Sequence, residues 1–88
     1  METSPISEWL SDEHLTAKEV RILVYFMRVG PVVVPREVLI REIWGSRPPQ
    51  SERSVDAAIS KLRRKLNRKK VRLVTVYGGG YRWFPIAN

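Results

Sequence analysis

An α+β domain, built from three helices and closed by a terminal β-hairpin, is predicted by three features of this 88-residue sequence. Apolar residues recur at helical spacing in three segments, and each segment is bounded by a capping residue or a breaker. A β-branched run, Val71–Tyr77, is separated from the aromatic run Tyr81–Phe84 by Gly78-Gly79-Gly80, as expected of two paired strands around a turn that needs positive φ. All nine acidic residues lie at or before Asp56. The length suits one domain with one core. Residues 1–5 read as a flexible tail and residues 6–88 as the domain.

Taken in order, Ile6–Leu10 and His14–Leu15 read as two short extended pieces around a Ser11-Asp12-Glu13 turn. The first helix opens on Thr16 and Glu19, a capping-box pair in which each side chain can bond the other residue's amide. Val20, Leu23, Val24 and Met27 supply its expected apolar stripe, and Gly30-Pro31 ends it. Val32–Val34 is β-branched and extended. Pro35 opens a second helix that runs through Trp44, with Val38, Leu39 and Ile43 on one face and Gly45 as the stop. Ser46–Ser51 contains Pro48-Pro49 and is a loop. The third helix begins between Ser51 and Ser54 and is expected to reach about Arg68, with Val55, Ile59, Leu62 and Leu66 as one narrow stripe.

Charge points to a partner. The chain carries +7, yet the first 56 residues hold seven bases against nine acids, whereas Ala57 onward holds nine Lys and Arg and no acid. Such one-ended polarity suits a polyanion, because phosphate contacts displace condensed counterions. With the apolar stripe of the third helix turned inward, Arg53, Ala57, Arg64 and Arg68 fall almost opposite it, flanked by Ser60 and Lys61. That cross-section suits the major groove of duplex DNA: basic groups reach phosphates, and small central residues let the helix approach base edges. Ala57 and Ala58 leave room for thymine methyls, and Lys61 and Arg64 reach guanine acceptors.

From Leu15 to Tyr81 the sequence resembles the winged helix-turn-helix effector domain of OmpR/PhoB-type bacterial transcriptional regulators. The resemblance rests on Leu15-Thr16-x-Lys18-Glu19, Pro35-Arg36-Glu37-x-Leu39 and Ile43-Trp44-Gly45. It continues through Glu52-Arg53-Ser54-Val55-Asp56, Ile59-x-x-Leu62-Arg63-x-Lys65-Leu66 and Thr75-Val76-x-Gly78-x-Gly80-Tyr81-Arg82. The resemblance implies a recognition helix over about residues 54–68 and a wing over 71–84 against the backbone or minor groove. Arg53 and Ser54 would contact phosphate; Asp56, Ala57, Ser60, Lys61 and one of Arg63 or Arg64 would face the groove. Arg36, Trp44, Thr75 and Tyr81 would hold the backbone, and Arg68 and Tyr77 complete the expected DNA-binding set. For Trp44, phosphate contact and pure packing remain equally open. The loop Ser46–Ser51 corresponds to the segment that touches RNA polymerase in this family, although any surface connector has the same composition. Double-stranded DNA is the expected partner, bound by tandem or paired copies on repeated half-sites.

The sequence also departs from its relatives. Tyr77 stands where the family usually has a minor-groove arginine, and Pro35 stands where a serine cap is common. The segment before the first helix has room for about two strands where the family has a four-stranded platform, and no receiver domain precedes it. Either the platform is reduced or this is a piece of a longer protein.

Other chemistry finds little support. His14 is the sole histidine and there is no cysteine, so no metal site, cofactor, disulfide or cysteine nucleophile is expected, and no catalytic set is visible. Trp9, Trp83 and Phe84 read as packing groups. No apolar run approaches the ~18–20 residues of a membrane span and no secretory signal opens the chain, so a cytoplasmic location without membrane contact is expected. The competing reading is a winged-helix interaction module whose basic face docks an acidic partner or RNA polymerase.

Overall fold

The computed structural model describes residues 10, 14–47, 49, 51–68 and 70–85. Helix α1 spans Ala17–Val29. Its capping box is formed as expected: the Thr16 amide donates to Glu19 Oε1 at 2.9 Å, and the Glu19 amide donates to Thr16 Oγ1 at 3.1 Å. The buried face of α1 differs from the expected stripe. Ile22, Leu23 and Phe26 are fully buried, whereas Val20 and Val24 are exposed. Arg21 and Arg28, both exposed, share the outer face of α1, which turns Ile22 and Phe26 rather than Val20 and Val24 into the core.

Strand β1 is Val33–Val34. Helix α2, Arg36–Leu39, begins after Pro35 and continues as one widened turn over Ile40–Trp44. That turn closes on Gly45, whose amide donates to the carbonyl of Ile40, five residues back, at 3.0 Å. Leu39 and Ile43 point into the core, four residues apart, and Val38 packs beside them. Helix α3 is Glu52–Lys65, with Val55, Ile59 and Leu62 buried. Full burial of a side chain of this kind stabilises by about 1.5–3 kcal/mol, so these three residues hold α3 firmly to α1 and α2.

The third helix stops short of Arg68. Leu66 is extended (φ −83°, ψ 146°) and forms an isolated antiparallel bridge with Leu10. Its side chain still joins the core, so the apolar spacing runs past the helix that it describes. Arg68 therefore lies in the turn that follows, where the amides of Lys70 and Val71 both donate to the Asn67 carbonyl.

Strands β2 (Val71–Val76) and β3 (Gly80–Pro85) pair antiparallel from Val71 opposite Pro85 to Val76 opposite Gly80. Strand β1 joins the other edge of β3, which gives the order β1-β3-β2. Val71, Leu73, Tyr81 and Trp83 face inward. Gly78 and Gly80 have φ of 74° and 120°. At Gly80 a Cβ would stand 2.1 Å from the Val34 carbonyl oxygen, so glycine is needed there twice, for its dihedral and for the approach of β1. The result is the α+β winged helix expected from the sequence. Most of the expected N-terminal extended segment, with the tail 1–5 and Trp9, lies outside the described residues; His14 and Leu15 are described and are not in a strand.

Candidate nucleic-acid interface

Helix α3 offers a face to solvent directly opposite its buried stripe. Arg53, Ala57, Ser60, Lys61 and Arg64 are all exposed. At 100° per residue, Arg53, Ala57, Ser60 and Arg64 share this outer face. Glu52, Asp56 and Arg63 fall on one flank of it; Ser54, Ala58 and Lys61 fall on the other.

The first flank meets α2 and the wing. Arg36 Nε donates to Asp56 Oδ1 at 2.9 Å and its Nη2 to Asp56 Oδ2 at 3.2 Å, a two-point guanidinium–carboxylate pair. The Tyr81 hydroxyl, from the nearly buried side chain on β3, donates to the same carboxylate. Glu52 stands 3.9 Å from Arg36. The hydrogen bond from Arg36, then that from Tyr81, holds the Asp56 carboxyl below the usual carboxylate range against the opposing effect of burial. Burial, followed by the hydrogen bond to Asp56, pushes the Tyr81 phenol up. Arg36 is raised further, chiefly by its bond to Asp56.

Three residues expected to meet nucleic acid thus bond one another. Asp56 is an internal anchor; Tyr81 is 3% exposed; Arg36 is half-exposed and already carries a counter-charge. Arg63 has a similar fate. Its Nε donates to the Leu73 carbonyl at 2.8 Å and its Nη2 to the Thr75 hydroxyl at 3.0 Å, so it ties α3 to β2. Thr75 remains exposed while accepting that bond. Tyr77 is 99% exposed at the tip of the wing, and Arg68 is exposed beyond the end of α3.

The second flank meets α1. Ser54, Ala57, Ala58 and Lys61 line a groove with Thr16, Lys18, Glu19 and Trp44. Trp44 is half-buried, and the Lys18 ammonium lies 4.7 Å from its ring centroid, within cation–π range. Nothing in the sequence marks Lys18 as a neighbour of Trp44. It stands in the quoted Leu15-Thr16-x-Lys18-Glu19 motif, but no local pattern links it to a tryptophan 26 residues later.

Below the groove, Lys65 donates to Glu19 Oε1 at 2.8 Å and to the His14 carbonyl at 2.7 Å. Burial raises the Glu19 carboxyl, but the bonds from Lys65 and from the Thr16 amide outweigh it and leave the group below its ordinary value. Among the described residues no His, Cys, Asp or Glu cluster has the makings of a metal site, and no helix is long and apolar enough to cross a membrane.

Residues 11–83 match the family model described as transcriptional regulatory protein, C terminal. Over 72 residues the chain is 40% identical to the uncharacterized transcriptional regulatory protein YclJ of Bacillus subtilis (strain 168), covering 81% of this chain and 32% of that protein. Over 79 residues it is 35% identical to the transcriptional regulatory protein SrrA of Staphylococcus aureus (strain NCTC 8325 / PS 47), covering 85% of this chain and 33% of that protein. The chain therefore spans about a third of the length of these curated relatives. Among solved structures, it matches the DNA-binding domain of Bacillus subtilis CssR with a TM-score of 0.72 at 28% identity, over 94% of this chain and 98% of that one. It also matches the DNA-binding domain of the response regulator AdeR, in complex with an intercistronic region, with a TM-score of 0.70 at 30% identity, over 83% of this chain and 77% of that one.

Proposed function

The chain belongs to the family of OmpR/PhoB-type transcriptional regulatory C-terminal domains, and on that premise we propose that it binds duplex DNA sequence-specifically as the effector part of a bacterial transcriptional regulator. The observation that carries the reading is the outer face of α3. Arg53, Lys61 and Arg64 are exposed around the short side chains of Ala57 and Ser60. Of the two carboxylates on α3, Asp56 is paired with Arg36, and Glu52 stands exposed on the same wing-side flank, 3.9 Å from Arg36. A cationic face with a low centre, with the acids of α3 confined to one flank, suits entry into the major groove. The wing, with Thr75 and Tyr77, borders the start of α3 at Glu52, which supports a course along the adjacent backbone.

The residues divide by role. Lys61 and Arg64 read base edges beside Ala57 and Ser60, whereas Arg53, Ser54 and the free edge of Arg36 contact phosphate. Asp56, Tyr81 and Arg63 set the angle between helix and wing. Binding as tandem or paired copies, contact of the loop Ser46–Ser51 with RNA polymerase, and a cytoplasmic setting complete the proposal; all three rest on the family resemblance. The fold and family are those of regulatory DNA-binding domains, and no enzymatic role is proposed.

Selection of bound duplexes from a random DNA pool tests the whole reading, because it reports binding, preference and half-site spacing together. Lys61→Ala and Arg64→Ala are expected to relax preference at one or two base positions, at a cost of about 1–3 kcal/mol each on the selected site. Arg53→Ala should weaken all duplexes alike. Equal affinity for random duplex and heparin, with no site emerging, would instead favour a module that docks an acidic protein.

A further inference from the structure

We propose that Lys18, with Trp44 and Ser54, forms a phosphate-binding site on the α1 side of α3, and that its ligand is a backbone phosphate of the bound duplex. The inference rests on the DNA-binding reading and adds a residue, Lys18, and an element, α1, to it. A helix with side chains is about 10–12 Å across and the major groove is about 12 Å wide. A helix seated in that groove therefore has a sugar-phosphate backbone on each flank. On one flank of α3 stand Arg36, Thr75 and the wing turn, together with the exposed carboxylates of Glu37 and Glu52. On the other stands the groove lined by Lys18, Trp44, Ser54 and Lys61. Of the two surfaces, the groove is the one whose single carboxylate, Glu19, is already paired.

The groove's electrostatics suit an anion. Lys18 and Lys61 are exposed on opposite walls, one from α1 and one from α3. The carboxylate at its base, Glu19, is 4% exposed and already paired with Lys65, so its charge is offset before any ligand arrives. Trp44 restricts Lys18: an ammonium held 4.7 Å from the indole centroid loses less side-chain freedom on meeting a phosphate than an unconstrained lysine would. Ser54, half-buried beside Ala57, adds a hydroxyl on the same wall.

The test is the salt dependence of binding by the full 88-residue chain to a fluorescent duplex carrying the selected site, and to a random duplex of equal length. Lys18→Gln is expected to weaken both duplexes alike, about three- to tenfold near 0.1 M salt, and to lower the slope of log K against log salt by about 0.9, the value of one phosphate contact. Lys18→Arg should keep the wild-type slope. Arg28→Gln, which removes an exposed charge at the far end of α1, should leave the slope unchanged. An unaltered slope in Lys18→Gln, or an equal fall in Arg28→Gln, overturns the site and leaves the DNA-binding reading standing. A wild-type chain that binds heparin as well as duplex overturns the reading beneath it.

Discussion

Lys65 holds the most buried charge among the described residues. Its partner Glu19 has a side chain only 5% exposed, and the two groups sit 2.8 Å apart. Removing one member of such a pair strands the other away from water, and the desolvation already incurred is no longer offset. Lys65→Met keeps the aliphatic stem and removes only the ammonium, so it should cost about 2 kcal/mol, seen as a lower urea midpoint at pH 7. The sign of the pH dependence follows from the same groups. Glu19 and Asp56 are both held below ordinary carboxylate values. Their stabilisation is present above about pH 4, where unfolded carboxylates are ionised, and is lost as pH falls through the depressed folded values. Urea midpoints should therefore drop between pH 5 and pH 2.5, and Asp56→Asn should shrink that drop.

At the scale of elements, the wing depends on how closely β1 approaches its turn. Gly80 lies against the Val34 carbonyl oxygen, where a Cβ would stand at 2.1 Å, and Pro35 Cα is 2.7 Å from the same point. Both neighbours are backbone, so neither can turn aside as a side chain would. Gly80→Ala should cost more than about 3 kcal/mol by combined clash and dihedral strain, read as a large fall in the thermal midpoint. Gly45, with φ 60°, ψ −124° and open space around its missing Cβ, makes a fair contrast: Gly45→Ala bears dihedral strain without a clash, about 1–3 kcal/mol. The α3–wing contact is similarly element-wide. Arg63 bonds the Leu73 carbonyl and Thr75, while Asp56 bonds Tyr81. Two attachments near opposite ends of α3 fix the angle at which wing and helix face a duplex.

For the whole molecule, the distribution of charge governs association more than the net +7 does. Arg53, Lys61 and Arg64 gather on or beside the outer face of α3, and of the nearby acids Glu19 and Asp56 are paired while Glu52 stays exposed. Much of the affinity should accordingly be sequence-independent and salt-sensitive, with preference supplied by a few side chains around Ala57 to Arg64. The loop at Ser46–Ser51 presents exposed Ser46, Arg47 and Ser51. If it meets RNA polymerase as proposed, Arg47→Ala should lower transcription in a reconstituted assay several-fold while footprinting on the selected site stays unchanged; parallel loss of both would assign Arg47 to DNA instead.

The elements, their order and the helix that faces DNA were legible in the sequence, because each is set by local chemistry. Thr16 and Glu19 cap α1 through neighbouring amides; the four- and three-residue spacing of Val55, Ile59 and Leu62 buries one side of α3; glycines supply the wing's positive φ. The rotation of α1 was not legible from its valines, since Arg21 and Arg28 set the phase and leave Val20 and Val24 at the border of the outer face. Nor was the end of α3, where Leu66 keeps its apolar place by leaving the helix to pair with Leu10. The same limit separates the candidate contacts. Asp56, Tyr81 and Arg63 look available in one dimension, yet each finds its partner 10 to 25 residues away. Lys18 looks like a helix-opening lysine until folding brings it over Trp44. Local spacing determines which residues share a face; only long-range packing determines which of them remain free to meet a ligand.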